Sequence, residues 1–257
     1  MSLIINPENK LPSYPLALVT GGGHRLGKAF AICLARLGYG IVLHYFSSGE
    51  KVAETEREIR QLGVPVFQVK ADLRDELDIR SLFAYIDALI NQPELNLGPL
   101  SVLVNSAAIM PGADIQTMGV HEFDSVIDLN LRAPFLCAQL AYHRMTHGGL
   151  IVNISDIAAQ KTWKGYPAYT ISKAGLDSLT KVMARSFAPR VRVNSIAPGL
   201  VLPGEESSPE EWNRLVKRLP VQRAASLDEL CAALEFLIKN EYIIGQIIVV
   251  DGGFSLI

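Results

Sequence analysis

The stretch Leu16-Ala-Leu-Val-Thr20-Gly21-Gly22-Gly23-His24-Arg25-Leu26-Gly27 is followed by the helical pattern Lys28-Ala-Phe-Ala-Ile-Cys-Leu-Ala-Arg-Leu37. A short apolar run, a glycine turn and an amphipathic segment predict a strand, a loop and a helix. Glycines let the backbone approach a pyrophosphate, and the N-terminus of the helix offers free N–H groups and a partial positive charge. A glycine turn alone is also consistent with a simple tight connection. Its meaning therefore depends on the rest of the chain.

Short apolar runs alternate with helical patterns along the whole sequence. The runs predict strands at 17–20, 40–45, 64–69, 100–104, 150–154, 191–196 and 247–250, and the intervening patterns predict helices near 25–38, 49–62, 75–92, 120–146, 167–187 and 226–239. Such alternation is typical of a parallel sheet with helices on both faces. We therefore expect one α/β domain over residues 16–257, a doubly wound parallel seven-stranded sheet, with residues 1–15 as a flexible N-terminal tail.

Composition argues against several classes of protein. The 257 residues are 49% hydrophobic, which is enough to bury a large core in one domain. A net charge of −2 gives no electrostatic basis for binding nucleic acid or an anionic membrane. Cys33, Cys137 and Cys231 have neither metal-ligand spacing nor a disulfide pattern, so reduced thiols and no metal site are expected. No signal peptide or membrane span is recognisable, and a cytoplasmic protein is expected.

Tyr169 and Lys173 are four residues apart, a spacing that brings two side chains to one face of a helix. The pKa of a phenol is ordinarily near ~10, and a nearby cation lowers it. A tyrosine so placed can donate a proton near neutral pH. Alone, the pair is more typical of a plain surface helix. Together with Asp156 upstream and the glycine turn, it indicates an enzyme that binds a dinucleotide.

The chain resembles the short-chain dehydrogenase/reductase family from about residue 15 to Ile257. The matching pieces occur in the order of the family: Thr20-Gly21…Gly27, Ala71-Asp72-Leu73, Asn105-Ser106-Ala107, Asn130, Tyr169…Lys173, Pro198-Gly199 and Asp251-Gly252-Gly253. Within the family the chain is most similar to the pteridine reductases and the dihydromonapterin reductases. The features behind this likeness are Arg25 where most members have glycine, Leu43-His44-Tyr45, Asp156 at the usual serine position and the ending Asp251-Gly252-Gly253-Phe254-Ser255-Leu256. The resemblance implies a Rossmann-like fold, an oxidoreductase and a nicotinamide cofactor.

The end of the second predicted strand bears on which cofactor is used. NAD enzymes place an acidic side chain there, whereas this chain reads His44-Tyr45-Phe46-Ser47-Ser48 with no carboxylate before Glu50. A carboxylate would repel a 2′-phosphate, while serine hydroxyls and the nearby His24 or Lys51 can donate to it, which favours NADPH. The pteridine reductases carry an arginine where this chain has Ser47, which predicts a weaker phosphate site than theirs.

The resemblance also implies a set of cofactor-binding residues. These are Gly21, His24, Arg25, Leu26, His44, Tyr45, Phe46, Ser47, Ser48, Asp72, Leu73, Asn105, Ser106, Ala107, Tyr169, Lys173, Pro198 and Gly199. Asp72 would accept a hydrogen bond from the adenine amino group.

Asp156 bears on the type of reaction. The usual serine donates a hydrogen bond to a ketone oxygen that becomes an alkoxide, whereas an ionised carboxylate would repel that oxygen and raise the pKa of Tyr169. Asp156 is therefore either protonated or faces the N–H groups of a substrate such as an amino-pterin, whose reducible bonds are C=N. The alternative is that Ser155 takes the role of the serine and Asp156 is incidental, because a slip of one residue in an extended segment turns the side chain to the other face.

Further roles come from the family pattern. Asn130 would hold a water in a proton relay, and the predicted catalytic residues are Asp156, Tyr169, Lys173 and Asn130. The predicted substrate residues are Arg25, Met110, Asp156 and Trp212. Met110 stands where pteridine reductases have a stacking aromatic, which Trp163 or Trp212 could replace. The irregular segment 200–219 would be a substrate lid or a plain surface loop.

The sequence thus predicts an NADPH-dependent reductase of a pterin-like C=N substrate, with Tyr169 as the proton donor. The alternative is a carbonyl reductase of the same fold, acting on a 3-oxoacyl or sugar substrate. A non-catalytic NADP sensor is disfavoured because it has no need of Tyr169, Lys173 and Asn130. The apolar helices 120–146 and 167–187 pair subunits in this family, so a homotetramer is expected.

Overall fold

A computed structural model of the protein describes residues 13–47, 49–204 and 208–257. Strands and helices alternate along these residues. In chain order they are β1 (Tyr14–Thr20), α1 (Arg25–Arg36), β2 (Gly40–Tyr45), α2 (Gly49–Gln61), β3 (Val66–Lys70), α3 (Glu76–Ile90), β4 (Leu97–Asn105), α4 (Val120–Ile127), α5 (Ala133–Tyr142), β5 (Gly149–Ile154), α6 (Pro167–Phe187), β6 (Val191–Pro198), α7 (Pro209–Arg218), α8 (Leu227–Lys239) and β7 (Ile247–Val250). The predicted alternation is confirmed.

The seven strands form one parallel sheet in the order β3-β2-β1-β4-β5-β6-β7. This is the predicted doubly wound seven-stranded sheet. From β1 the chain first winds outward through β2 and β3, and then returns to the other side of β1 to continue through β4. The direction of winding reverses between β1 and β4, and such a reversal leaves a crevice at the carboxyl ends of the strands where ligands bind.

Side chains of the central strand β1 supply both halves of the core. Leu16 and Leu18 pack on one face of the sheet with residues of α3 and α5. Ala17 and Val19 pack on the other face with residues of α1 and α8. Successive strand residues point to opposite faces, so an almost continuous apolar run is what a strand covered on both sides requires.

The structure differs from the sequence prediction at several element boundaries. β1 begins at Tyr14, which pairs with Leu97, so the last two residues of the expected tail belong to the sheet. Residues 1–12 lie outside the described part of the chain. The helix expected over 120–146 ends at Tyr142 and contains a π-helical turn, Asp128–Arg132, between α4 and α5.

The irregular segment expected over 200–219 contains the short helix α7. Ser208 caps it by accepting a hydrogen bond from the Glu211 N–H, and Pro209 takes the first helical position. Residues 205–207 lie outside the described residues. Over the described ranges, none of the helices combines the length and apolar character needed to cross a bilayer, and no three or more His, Cys, Asp or Glu side chains cluster as metal ligands would.

Candidate active site

The glycine turn after β1 is packed too tightly for larger residues. Gly21 has a φ of +65°, and a Cβ built on Gly27 would lie 2.1 Å from the carbonyl oxygen of Gly21. α1 therefore starts directly against the turn. No acidic residue occupies its first turn, so its N–H groups and positive dipole end are available to an anion. These features fit a pyrophosphate.

Arg25 adopts a backbone conformation that normally favours glycine. Its φ is +52°, a region that costs an L-residue roughly 1–2 kcal/mol. The exposed guanidinium donates from Nη2 to the carbonyl oxygen of Leu202, at 3.4 Å. Arg25 thus links the glycine turn to the segment after β6 and lies at the mouth of the cleft.

His44, predicted as a cofactor-binding residue, is buried and anchors the glycine turn. Its Nδ1 accepts a hydrogen bond from the Gly21 N–H at 3.1 Å, and its Nε2 lies 3.0 Å from the carbonyl oxygen of Ala71. This pairing requires the neutral ring with its proton on Nε2. Burial lowers the pKa of His44 to about 4. Although the ring borders the cleft, both of its nitrogens are used to hold the turn against the end of β3.

A cleft of about 480 Å³ runs from the glycine turn across the ends of the strands. Its end beside β2 and β3 is formed by Phe46, Ser47, Asp72, Leu73 and Arg74. The guanidinium of Arg74 binds the carboxylate of Asp72 through Nε and Nη2, at 2.9 and 2.7 Å. This contact holds the pKa of Asp72 below its ordinary value. Ser48 lies outside the described residues.

The carboxyl ends of the central strands carry a row of paired polar side chains. Thr20 Oγ1 accepts from the Ser106 and Ala107 N–H groups, at 3.0 and 3.1 Å. Asn105 donates to Asn153 at 2.9 Å. The Asn105 side chain, predicted to bind the cofactor, is therefore engaged between neighbouring strands, and it supports the floor of the cleft.

Asp156 and Tyr169 are in direct contact. The Tyr169 hydroxyl donates to Oδ2 of Asp156 at 2.9 Å, and Oδ1 of Asp156 accepts from the Ala158 N–H at 2.8 Å. The ammonium of Lys173 donates to the carbonyl oxygen of Ile154 at 2.7 Å and lies 5.6 Å from the centre of the Tyr169 ring. The three residues predicted around the reaction centre are thus assembled at the end of β5 and the start of α6.

The electrostatics of this group differ from the sequence expectation. Burial, followed by the carboxylate of Asp156, raises the pKa of Tyr169 well above its ordinary value. Burial also raises the pKa of Asp156 and lowers the pKa of Lys173 to about 8. The expected lowering of the Tyr169 pKa by Lys173 is therefore not found, because burial and the nearer carboxylate of Asp156 act against it.

Ser155 points away from this group. Its hydroxyl is buried, and no described residue offers it a hydrogen bond of good geometry; the same holds for Oδ1 of Asp177, one helical turn beyond Lys173. Burial raises the pKa of Asp177, and the Ser155 hydroxyl, followed by Lys181 and Lys173, acts against this rise. It is Asp156 and not Ser155 that contacts Tyr169, so the alternative register is not the one the structure adopts.

Asn130 lies in the π-helical turn between α4 and α5. Its side chain donates to the carbonyl oxygen of Ile109 and accepts from the Ile109 N–H, both at 2.9 Å, and it donates to Ser172 at 3.1 Å. π-Helical turns are rare and are frequent at functional sites. This one brings the segment after β4 against α6, the helix that carries Tyr169 and Lys173.

Residues 23–255 match the family model described as enoyl-(acyl carrier protein) reductase. The chain belongs to the short-chain dehydrogenase/reductase family. It is 33% identical over 247 residues to the 3-oxoacyl-[acyl-carrier-protein] reductase FabG of Staphylococcus aureus, an alignment that covers 93% of this chain and 98% of that protein.

Solved structures of the family are similar over nearly the whole chain. FolM alternative dihydrofolate reductase 1 from Brucella canis, complexed with NADP, has a TM-score of 0.88 and 32% identity, covering 96% of each chain. The angucycline C-6 ketoreductase LanV, with bound NADP, has a TM-score of 0.87 and 28% identity, covering 94% of this chain and 96% of LanV. Both relatives contain NADP, and the predicted cofactor class is confirmed.

The cleft is bordered by most of the predicted cofactor residues. Those on its wall are Gly21, His24, Arg25, Leu26, His44, Tyr45, Phe46, Ser47, Asp72, Leu73, Ser106, Ala107 and Tyr169. Lys173, Pro198 and Gly199 do not line the cleft, and Gly199 packs so closely on Asp251 that a Cβ on Gly199 would lie 2.7 Å from the Cα of Asp251. Met110 borders the cleft and is 41% exposed.

Trp163, and not Trp212, lies beside Tyr169. Its ring is stacked on the ring of Tyr169, with centroids 6.5 Å apart and planes at 16°, and it also contacts Tyr166 and Phe254. Lys161 donates to the carbonyl oxygen of Phe254, which ties the C-terminal segment to this wall. Trp212, predicted as a substrate residue, is on α7 and does not border the cleft.

Proposed function

We propose that this protein is an NADPH-dependent reductase of a pterin-like substrate, with Tyr169 as the proton donor. The observation that carries the proposal is the hydrogen bond of 2.9 Å from the Tyr169 hydroxyl to a carboxylate oxygen of Asp156. A carboxylate accepts hydrogen bonds, so it suits a substrate with N–H groups. It is poorly suited to a ketone, whose oxygen is itself an acceptor.

Asp156 and Tyr169 have different roles in the proposed reaction. When bound, NADPH supplies the hydride that adds to the carbon of the C=N bond. A substrate N–H would donate to Oδ2 of Asp156 and replace the hydrogen bond from the Tyr169 hydroxyl. The Tyr169 hydroxyl is then free to protonate the reduced nitrogen. The nitrogen becomes strongly basic as the hydride arrives, so a phenol with a raised pKa can still donate.

Lys173 supports this proton transfer from behind. Its pKa of about 8 leaves the ammonium charged at neutral pH, where it stabilises the negative charge that forms on the Tyr169 oxygen. After the product leaves, Asp156, whose pKa is raised by burial, is suited to take up a proton from solvent and pass it to the Tyr169 oxygen.

Similarity to FolM alternative dihydrofolate reductase 1 supports a pterin-type substrate. Trp163 and Met110 provide apolar contact surface near Tyr169 and at the rim of the cleft. A second candidate is a carbonyl reductase, which the 33% identity to a 3-oxoacyl reductase and the likeness to the ketoreductase LanV support.

Substitution of Asp156 separates the two functions. Dihydrobiopterin and dihydrofolate are compared with a panel of ketones, including a 3-oxoacyl thioester, by following oxidation of NADPH. We expect Asp156→Ser to lower kcat/KM for the pterins and to raise the relative activity on ketones, because a neutral donor replaces an acceptor. The ratio of the two kcat/KM values removes general damage to the fold.

Two further variants complete this test. Asp156→Asn should also lower pterin turnover, because an amide cannot return a proton to Tyr169. Ser155→Ala is the matched control, since its hydroxyl faces away from the site, and it should have little effect. If wild-type protein reduced only ketones, or if Asp156→Ser left the ratio unchanged, the carbonyl reductase would be the correct assignment.

We further propose a cytoplasmic homotetramer. Cys33, Cys137 and Cys231 are free thiols, as is usual in a reducing compartment. Exposed apolar side chains on α5 and α6, namely Phe135, Ile171 and Val182, offer a surface for subunit pairing. Light scattering after size exclusion would give the mass directly, and a monomeric mass at micromolar concentration would contradict the tetramer.

A further inference from the structure

Arg74 borders the end of the cleft where the adenosine is expected. The sequence alone does not indicate it as a cofactor-binding residue. It follows Asp72 and Leu73 after β3, and its side chain reaches across to the end of the neighbouring strand β2. There its guanidinium lies over the ring of Phe46, 5.4 Å from the ring centre. Both side chains border the cleft. Arg74 therefore presents a cation at the carboxyl end of β2.

This is the position from which dinucleotide enzymes read the adenosine ribose. In the Rossmann pattern the residue about 20 positions beyond the glycine turn binds the 2′-hydroxyl if it is acidic, whereas a nearby arginine accommodates a 2′-phosphate. The residue at that point is Phe46, followed by Ser47, and neither carries a charge. The cation that a 2′-phosphate needs must therefore come from another element.

The guanidinium is held in place by contacts on one side. Nε and Nη2 bind the carboxylate of Asp72 at 2.9 and 2.7 Å, and Nη1 lies 3.4 Å from the hydroxyl of Ser125. The Arg132 guanidinium donates to the carbonyl oxygen of Arg74 at 2.6 Å and fixes its backbone. An arginine has five N–H donors, so Nη1 and Nη2 each keep an N–H for which the described residues offer no further partner.

The charges around Arg74 favour binding of an anion by the N–H groups of Nη1 and Nη2 that have no further partner among the described residues. The carboxylate of Asp72 raises the pKa of Arg74, which keeps the guanidinium charged. The Asp72 N–H donates to Asp78 at 2.8 Å, and the other carboxylate that acts on Arg74 is Asp128 of the π-helical turn. The stack on Phe46 directs the planar cation toward the end of β2. Guanidinium and phosphate form strong charge-assisted hydrogen bonds.

We propose that Arg74 binds the 2′-phosphate and is the residue that makes this enzyme select NADPH over NADH. Arg74 takes the role of the arginine that the pteridine reductases carry where this chain has Ser47. The proposal rests on the NADP-type cofactor and not on the pterin substrate, which its test does not involve.

The test is the affinity of purified protein for NADPH and NADH, measured by the change in cofactor fluorescence. Wild-type protein should bind NADPH at least tenfold tighter, a difference of about 1.4 kcal/mol. Arg74→Gln keeps a hydrogen-bonding group toward Asp72 but removes the charge. It should weaken NADPH binding at least tenfold and change NADH binding less than twofold. Titration with 2′,5′-ADP and 5′-AMP should repeat this contrast without the nicotinamide.

Two variants guard against a trivial result. Arg74→Lys retains the positive charge but lacks the planar set of guanidinium N–H donors, and it should keep NADPH affinity within about threefold of wild type. This variant still tests the role of the charge if Arg74→Gln folds poorly. Arg80→Gln, which removes an exposed arginine paired with Glu76 on α3, should change neither affinity. Equal losses for NADPH and NADH in Arg74→Gln, or no loss for either, would overturn the proposal.

Discussion

His44 makes the stability of the glycine turn depend on pH. Its neutral ring joins the Gly21 N–H to the carbonyl oxygen of Ala71, and a protonated ring would lose the acceptor that Gly21 needs. Burial lowers its pKa from the ordinary 6.5 to about 4. Between these values the unfolded chain binds a proton that the folded protein excludes. Stability is therefore present above pH 6.5 and is lost as the pH falls toward 4.

The size of the loss follows from the two pKa values. At 1.36 kcal/mol for each pH unit of difference, the full contribution of His44 is roughly 3 kcal/mol, of which about 2 kcal/mol is lost between pH 7 and pH 5. For a domain of this size each kcal/mol corresponds to about 2–4 °C in Tm. His44 alone should therefore lower Tm by about 4–8 °C over that interval.

Thermal unfolding of wild-type protein and His44→Asn at pH 7 and pH 5 measures this effect. The variant should be less stable at pH 7, by roughly 1–2 kcal/mol, because the Ala71 contact is lost. Its decline on going to pH 5 should be about 2 kcal/mol smaller than that of wild type. His121→Asn, an exposed histidine on α4, should decline as wild type does. If His44→Asn and wild type lost the same Tm over this interval, the buried neutral ring would not be responsible.

The remaining predictions concern the glycine turn and the catalytic pair. Gly27→Ala should abolish measurable NADPH binding and destabilise the fold by about 1–3 kcal/mol, because its Cβ would lie 2.1 Å from the Gly21 oxygen. Gly165→Ala, where a Cβ meets open space, should leave both quantities unchanged, and tight NADPH binding by Gly27→Ala would contradict the packing argument. Tyr169→Phe should lower kcat by about 10²–10⁴ with nearly normal NADPH affinity in a titration; retention of a tenth of kcat would remove the tyrosine from its role. Because the pKa of Lys173 is about 8, kcat should fall above about pH 8, and Lys173→Arg should lack this alkaline limb in a pH profile.

The layout of the sheet could be predicted from the sequence because buried parallel strands are nearly continuous apolar runs. β2 and β7 begin and end where the runs do. β1 begins earlier than expected because Tyr14, placed in the N-terminal tail by the sequence, pairs with Leu97 of β4. Pairing with a distant strand thus overrides a local signal, and a single sequence does not reveal the partner.

The candidate site could be predicted in its residue types but less well in its contacts. Tyr169 and Lys173 lie one turn apart on α6, so helix geometry brings them together, whereas Asp156 follows β5 and reaches Tyr169 because α6 packs against the end of that strand. The family resemblance places His44 among the cofactor-binding residues. Its actual partners, Gly21 and Ala71, come from two other elements. Arg74 reaches Phe46 only because β3 lies beside β2, with Tyr45 opposite Lys70. The spacing of residues along the sequence does not indicate that contact.

The arrangement around Tyr169 links the choice of substrate to the state of its proton. The Tyr169 hydroxyl donates to Asp156 and its pKa is raised, so the carboxylate holds the phenol proton. A ketone has no N–H or O–H to donate to Asp156. If Tyr169 turned its hydroxyl to a ketone oxygen, the carboxylate would therefore lose its hydrogen bond and gain no other. A donor N–H can replace it, so binding of an N–H-bearing substrate itself releases the acid that the reaction requires. On the proposed function, the hydrogen bond by which Asp156 selects the substrate also releases the Tyr169 hydroxyl for proton transfer. Loss of the carboxylate should therefore impair substrate selection and proton transfer together.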